Sequence, residues 1–287
     1  MNLVNHRHEY HRRVFHEIVR ISRDSKKKIE YPNFADSGNK ASIAIAWEIV
    51  RSVGHEISVD PIKGQTSGGR FEEITRDFLQ ATFNQLRHVR PGDWAYSTQL
   101  SISAFEQYEH LADLERIIKA NRELGASLGQ DYIVKPDIVI GRSPLSDEEI
   151  NRHGRFVSQG AGIAQFTPLR QANSAHQRSI LHASISCKWT LRSDRSQNAR
   201  TEALNLIRNR KGHIPHIVAV TAEPLPTRLA ALALGTGDLD CVYHVALPEL
   251  RKAIEQIKNE DQADMLSMLI EGRRLRDISD LPLDLAV

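Results

Sequence analysis

Short apolar runs alternate with longer amphipathic stretches along most of the chain. The β-branched run "IVIG" at residues 138–141 is typical of a buried strand, as are the runs in "HIPHIVAVTAEP" (213–224) and "DCVYHVAL" (240–247). Within residues 180–190, apolar and polar side chains alternate, which predicts a further strand.

Helix-forming segments lie between and after these strands. The clearest ones cover residues 5–22, 41–53, 106–128 and 195–210. Asp36, Ser37 or Asn39 is expected to cap the helix over 41–53. Strands that alternate with helices predict an α/β fold with a central mixed sheet flanked by helices.

A glycine-containing segment, "DPIKGQTSGG" (60–69), reads as a loop that leads into another long helix. Phe71, Ile74 and Phe78 have helical spacing, so we expect this helix to begin near residue 70. Glu72 would then lie in its first turn.

Composition sets limits on function. The 287 residues are 40% hydrophobic and 26% charged, and nothing divides the chain, so we expect one domain over residues 1–287. The net charge of only +2 means that any nucleic-acid site must arise from a local arrangement of charges. Cys187 and Cys241 form no C-x-x-C pair, and no secretory or membrane-spanning segment is evident, so a cytoplasmic protein with reduced, buried thiols is expected.

Three acids and a lysine stand at the ends of predicted elements. Asp137 begins one strand, Lys188 ends another, and Glu72 and Glu202 lie on helices. Carboxylates are the ligands that Mg²⁺ prefers, and a lysine can orient water and offset charge on a phosphate. The set predicts metal-assisted hydrolysis of phosphodiesters.

The spacing follows the PD-(D/E)xK nuclease signature with one departure. The position two before Lys188 is Ser186, which cannot supply a charged ligand, so Glu202, 14 residues after the lysine, would have to replace it. The pattern alone leaves a second interpretation open: a core strand with a snorkelling lysine and acids that cap helices.

The residues after Lys188 favour contact with DNA. Arg192, Asp194 and Arg195 stand at the start of a predicted helix. Arginine can pair with guanine O6 and N7, and aspartate can accept from cytosine N4, so the three could read adjacent G and C bases. Helix capping by Ser193 or Asp194 with solvated arginines is the alternative.

The stretch "SISCKWTLRSDRSQNARTE" (184–202) resembles the CCGG family of type II restriction endonucleases, which carry a PD…SxK…E variant of the nuclease site. The segments "GQTSG", "RPGDW", "ILHASISCKWT", "IPHIVAVTAEP" and "DISDLPLDLAV" extend the resemblance over most of the chain. It is weakest in residues 1–60 and 140–180, and to one member it is closer than family level.

This resemblance implies a restriction-endonuclease core and a site-specific deoxyribonuclease of type IIF. The enzyme would be a homotetramer, a dimer of dimers, acting with two Mg²⁺ ions per active site on double-stranded DNA. It would cut the palindrome 5′-GCCGGC after the first G and leave 5′-CCGG overhangs. A cognate DNA methyltransferase would protect the host sites.

The resemblance also implies roles for single residues. In the active site it assigns metal binding to Asp137, the Cys187 carbonyl and Glu202, water activation to Lys188, support to Glu72, and a place in the site to Ser186. In recognition it assigns the inner CCGG to Arg192, Asp194 and Arg195, the outer G·C pair to Asp36 and Arg228, and the minor groove to Gln65. The Asp36 loop runs Asp-Ser-Gly-Asn here, where the resembling member has Asp-Gly-Ser-Asn.

The residues alone leave two other functions open. One is a repair nuclease of the same chemistry that reads DNA structure. The other is a non-catalytic DNA-binding relative, which the complete set of Asp137, Lys188, Glu72 and Glu202 disfavours because binding alone does not require it.

Overall fold

The fold is described from a computed structural model. The structure describes residues 1–57, 60, 64–121, 123, 134–158, 160–171, 178–191, 193–235 and 237–287. At residues 119 and 193–196 it describes the backbone alone.

The centre of the fold is a six-stranded mixed sheet with the strand order β3-β4-β5-β6-β7-β8. Its strands are β3 (Trp94–Ser97), β4 (Ile138–Arg142), β5 (Ile180–Lys188), β6 (His216–Thr221), β7 (Cys241–His244) and β8 (Leu275–Asp277). β3, β4 and β5 pair antiparallel, whereas β5 to β8 run parallel. A separate hairpin pairs β1 (Ile21–Asp24) with β2 (Ile29–Pro32).

Helices flank this sheet, as the α/β prediction requires. They are α1 (Leu3–Glu17), α2 (Lys40–Val53), α3 (Gly64–Phe83), α4 (His110–Ala120), α5 (Asp147–Ile150), α6 (Ser193–Asn209), α7 (Pro226–Ala233), α8 (Leu247–Ile257), α9 (Glu260–Glu271) and α10 (Leu281–Asp284). Of the three candidate caps for α2, Asn39 does the capping, because its side chain accepts the N–H of Ser42.

The prediction of a helix over residues 5–22 is wrong at its end. α1 ends at Glu17, and the chain turns into the β1–β2 hairpin. The Asn33 side chain holds this exit, since it accepts the N–H of Arg20 and donates to the carbonyl of Ile18.

The prediction of a loop up to residue 69 is also wrong, because α3 already begins at Gly64. Glu72 therefore lies in the third turn of α3 and not in its first. Glycine in a helix costs about 1 kcal/mol relative to alanine. Gly64 and Gly68, one turn apart, both line a cleft, so the missing side chains keep this helix face open.

One continuous hydrophobic core runs from Tyr10 of α1 to Leu285 near the C-terminus. Phe71 of α3 packs edge-on against Trp189 at the end of β5, with ring centroids 5.1 Å apart. This contact holds the middle of α3 beside the end of β5. Cys187 and Cys241 are buried free thiols, as predicted.

The sheet topology brings three chain segments to one edge. The antiparallel register pairs Ile138 with Ile185, so Asp137, just before β4, reaches the end of β5. The parallel register pairs Lys188 with Thr221, so β5 and β6 end together. Within the described residues, no helix is long and apolar enough to cross a membrane.

Candidate active site

A cleft of about 460 Å³ opens at this edge of the sheet. Four of the predicted catalytic residues line it: Glu72 from α3, Asp137, Lys188 from β5 and Glu202 from α6. α6 is held in place by its buried face, which includes Ala199, Ala203 and Leu206. The structure thus brings together residues spread over 131 positions of the chain, from 72 to 202.

Asp137 binds the end of β5 through a single oxygen. Its Oδ2 accepts the backbone N–H of Cys187 at 2.7 Å and Lys188 Nζ at 3.0 Å. Both contacts use Oδ2, so neither engages Oδ1.

Lys188 remains a cation in this cleft. Burial lowers its pKa, but Asp137 and Glu202 outweigh that effect, and the net pKa is raised above the usual value. A lysine that only snorkelled out of the core would need no carboxylate partners.

Burial and the nearby charge of Asp137 disfavour the ionised form of the other two carboxylates, Glu72 and Glu202. Burial, followed by the charge of Asp137, raises the pKa of Glu72 to about 7. Burial and Asp137 likewise raise the pKa of Glu202, although Lys188 opposes the shift. A cation bound in the cleft would favour the ionised form of both carboxylates.

The donor set fits a hard divalent ion. Among the described residues, no three histidine, cysteine, aspartate or glutamate side chains are already gathered as a ligand group. Mg²⁺ does not need such a group, because it keeps several waters and usually binds one or two carboxylates together with phosphate oxygens. Asp137 and Glu202 match that requirement.

Ser186 and Cys187 take different positions. Ser186 is only 8% exposed, and its hydroxyl has no hydrogen-bond partner among the described residues. Cys187 lines the cleft, but its thiol is buried, which raises its pKa well above the usual value. The thiol is therefore no nucleophile, and the backbone is what Cys187 offers to the site.

A second cleft, of about 750 Å³, shares Asn33 and Thr190 with the first. Asp36 and Arg228 line it and form an ion pair, although 192 positions separate them. The structure therefore places the two predicted readers of the outer base pair side by side, next to the catalytic cleft.

Local hydrogen bonds preset the Asp36 loop. The backbone N–H of Asp36 donates to Ser42 Oγ at 2.9 Å, and its Oδ1 accepts the N–H of Gly38 at 2.8 Å. Arg228 projects from α7, which begins with Pro226.

The remaining predicted readers are less completely placed. Asp194 and Arg195 lie in the first turn of α6, with side chains outside the described set, and Arg192 lies outside the described residues. Gln65 is exposed in the first turn of α3, next to Gly64 of the first cleft.

Sequence reasoning missed several residues of the two clefts. Asn33, Ser67, Trp189 and Asn198 line the first cleft. Glu223, buried beside Arg228, was also missed. An acid directly after the apolar run of β6 was the available signal for Glu223.

Comparison with known proteins identifies the family of the chain. The family model for the NgoMIV restriction enzyme matches residues 10–287. The type II restriction enzyme NgoMIV of Neisseria gonorrhoeae is 48% identical over 258 residues, which cover 88% of this chain and 89% of that protein. These matches confirm the predicted resemblance and the enzyme class, a type II site-specific deoxyribonuclease. The chain belongs to the NgoMIV restriction enzyme family.

Proposed function

We propose that the protein cuts double-stranded DNA at the palindrome 5′-GCCGGC, after the first G, and leaves 5′-CCGG overhangs. The observation that carries this proposal is that the two clefts are adjacent, since Asn33 and Thr190 line both of them. A restriction enzyme needs its catalytic and recognition clefts to be adjacent, because the scissile phosphate lies beside the bases that are read.

The catalytic roles follow from the charges in the first cleft. Lys188, kept cationic by Asp137 and Glu202, orients the attacking water and offsets negative charge that develops on the phosphate. Asp137 holds Lys188 in position through Oδ2. Glu72, with a pKa of about 7, exchanges a proton near neutral pH.

Mg²⁺ is the proposed cofactor, with two ions per active site. Asp137, Glu202 and the carbonyl of Cys187 would hold it, with Glu72 in support and Ser186 beside them. When bound, the metal polarises the phosphate and lowers the pKa of water.

The Asp36–Arg228 pair is chemically complementary to a G·C base pair. Arginine donates to guanine O6 and N7, and aspartate accepts from cytosine N4. These two residues would read the outer pair, Arg192, Asp194 and Arg195 at the start of α6 the inner CCGG, and Gln65 the minor groove.

The finer fold assignment is a PD-(D/E)xK core in one domain. Its support is the arrangement in which β4, β5 and α6 deliver Asp137, Lys188 and Glu202 to one cleft. The continuous core from α1 to α10 agrees with one folding unit.

The proposed assembly is a homotetramer, a dimer of dimers. Its support is the strong exposure of three large apolar side chains in one stretch of the chain, Phe156, Ile163 and Phe166, which are 83%, 68% and 98% exposed. Such side chains mark a contact surface where they form a patch. A DNA methyltransferase of the same specificity would protect the host genome.

The test is a digest of a plasmid that carries two GCCGGC sites, with Mg²⁺, followed by sequencing of the product ends. Discrete fragments with CCGG overhangs at those sites support the proposal. Cuts at other CCGG-containing sites would retain the chemistry and refute the outer pair. An enzyme that made no cut would refute the proposal altogether.

A further inference from the structure

Glu223 is a buried carboxylate between the segment that precedes α6 and the segment that precedes α7. It has no role in the chemistry described above. It follows β6 and is only 1% exposed. A position that needed only volume would be filled at lower cost by an apolar side chain, since burying a charge is expensive.

Each Glu223 oxygen faces a different segment. Oε2 accepts the backbone N–H of Leu191 at 2.9 Å. Oε1 accepts the N–H of Leu225 at 3.2 Å and lies 4.0 Å from Arg228 Nη1. Leu191 directly precedes Arg192 in the chain, and Leu225 directly precedes α7.

The backbone of Glu223 is itself fixed. Its N–H donates to Thr221 Oγ1 at 3.2 Å. Its carbonyl lies 3.2 Å from His244 Nε2, while His244 Nδ1 accepts the N–H of Ala246 at 3.0 Å. That second bond leaves the proton on Nε2, so His244 donates to Glu223.

Three donors around Glu223 offset part of the cost of its burial. Burial raises its pKa to about 7, and the two N–H donors and Arg228 act against that shift. Two backbone donors and a guanidinium thus stabilise the carboxylate without fully compensating its burial.

We propose that Glu223 is a positioning residue for sequence recognition. It fixes Leu191, which directly precedes the predicted readers of CCGG in the chain, relative to α7, which carries Arg228. It does so without contacting DNA, and the inference rests on the proposed function.

Glu223 has a second effect through Arg228. This arginine lies between two carboxylates, Asp36 on the cleft side and Glu223 on the core side. When Asp36 turns to a base, Glu223 continues to neutralise and aim the guanidinium. Discrimination at the outer base pair is therefore the property that depends most on Glu223.

The experiment compares wild type with Glu223→Gln. The amide keeps the shape but loses the charge, and its NH₂ cannot accept an N–H. Cleavage rates are measured on four duplexes that share CCGG and differ in the outer pair: GCCGGC, ACCGGT, TCCGGA and CCCGGG. We expect the preference for the favoured duplex over the other three to fall at least about tenfold in the variant.

Asp277→Asn is the matched control. Asp277 is also a buried carboxylate that binds an arginine and a backbone N–H, through Arg7 at 2.8 Å and Leu247 at 3.0 Å. It lies on β8, outside both clefts. Its variant should lose thermal stability and keep the preference of the wild type.

The outcomes separate the two claims. If the wild type prefers a different outer pair, the proposed recognition sequence is wrong, and the Glu223 test proceeds on the duplex that it does prefer. If Glu223→Gln melts earlier but keeps its preference, Glu223 is merely structural and the inference is wrong. If Glu223→Gln does not fold, Glu223→Asp, which keeps the charge on a shorter arm, must show a reduced preference for the inference to stand. A wild type that cuts none of the four duplexes refutes both claims.

Discussion

Lys188 Nζ lies 3.0 Å from Asp137 Oδ2, and the same oxygen accepts the N–H of Cys187. The lysine is therefore anchored to the carboxylate that directly precedes the neighbouring strand, β4. Its position and charge both depend on Asp137.

Replacement of Lys188 by alanine is expected to abolish most of the cleavage. The variant loses the cation that offsets charge on the phosphate, and we expect the rate to fall at least about 100-fold. DNA binding without divalent metal should persist, as measured by a gel shift. Lys252→Ala, an exposed lysine on α8, is the control and should cut like the wild type. A Lys188→Ala enzyme that cuts normally would rule out the assigned role.

Glu72 should make the metal-free protein less stable as pH rises. Its folded pKa is about 7, against a usual value of 4.5. Below about 4.5 the carboxyl is protonated in both the folded and the unfolded states. Between these values only the unfolded chain ionises, so the free energy of unfolding falls as pH increases, and above 7 the full loss is present.

Glu72→Gln should remove that dependence. In EDTA, the melting temperature of the variant minus that of the wild type should be larger at pH 8 than at pH 5. Glu148→Gln on α5, an exposed carboxylate, should show no such difference. Mg²⁺ should stabilise the wild type more at pH 8 than at pH 6, because binding displaces the Glu72 proton. An equal difference at both pH values would contradict the assignment.

Asp36→Asn should relax recognition of the outer base pair. The amide nitrogen cannot accept from cytosine N4, and Arg228 loses its cleft-side carboxylate. We expect discrimination at the outer pair to weaken by about 1–3 kcal/mol, measured as relative cleavage rates on duplexes that differ only there. Asp264→Asn, on an exposed face of α9, controls for loss of one charge. Equal loss of cleavage on every duplex would mean that Asp36 does not read a base.

The surface that carries Phe156 and Phe166 should control assembly. The Asn151 side chain accepts the N–H groups of Phe156 and Val157, and Arg170 pairs with Asp147. These contacts anchor the chain on both sides of the exposed side chains. The double variant Phe156→Ser, Phe166→Ser should shift the mass measured by light scattering from tetramer towards dimer.

Met268→Ser, at an exposed apolar position on α9, is the control for this shift and should leave the mass unchanged. If the double variant kept the mass of the wild type, this surface would not be the contact between dimers.

Four of the six strands of the sheet, β4 to β7, were predictable because their signal is local, whereas the short β3 and β8 were missed. β4 and β5 are apolar or alternating runs whose burial follows from pattern alone. β1 and β2 were missed because four-residue strands of a partly exposed hairpin carry little pattern. The start of α3 was missed because glycine signals a loop, whereas Gly64 and Gly68 lie in the helix against a cleft.

The candidate site was predictable only in part. The segment from Ser186 to Glu202 is continuous in the chain, so motif and resemblance both reached it. The Asp36–Arg228 pair joins segments 192 positions apart, and since no spacing rule connects them, only the resemblance predicted both residues. Glu223 was missed because its hydrogen-bond partners, the N–H groups of Leu191 and Leu225, belong to the backbone and leave no trace in composition.

β5 ends at Lys188, and α6 begins at Ser193. Lys188 and the first predicted base reader, Arg192, are therefore four chain steps apart, with three residues between them, and this length of chain can span at most about 14 Å. Base pairs rise about 3.4 Å each, so this length of chain can span at most about four base-pair steps. One residue inserted into it would shift the cut relative to the bases that are read, while each half kept its own chemistry.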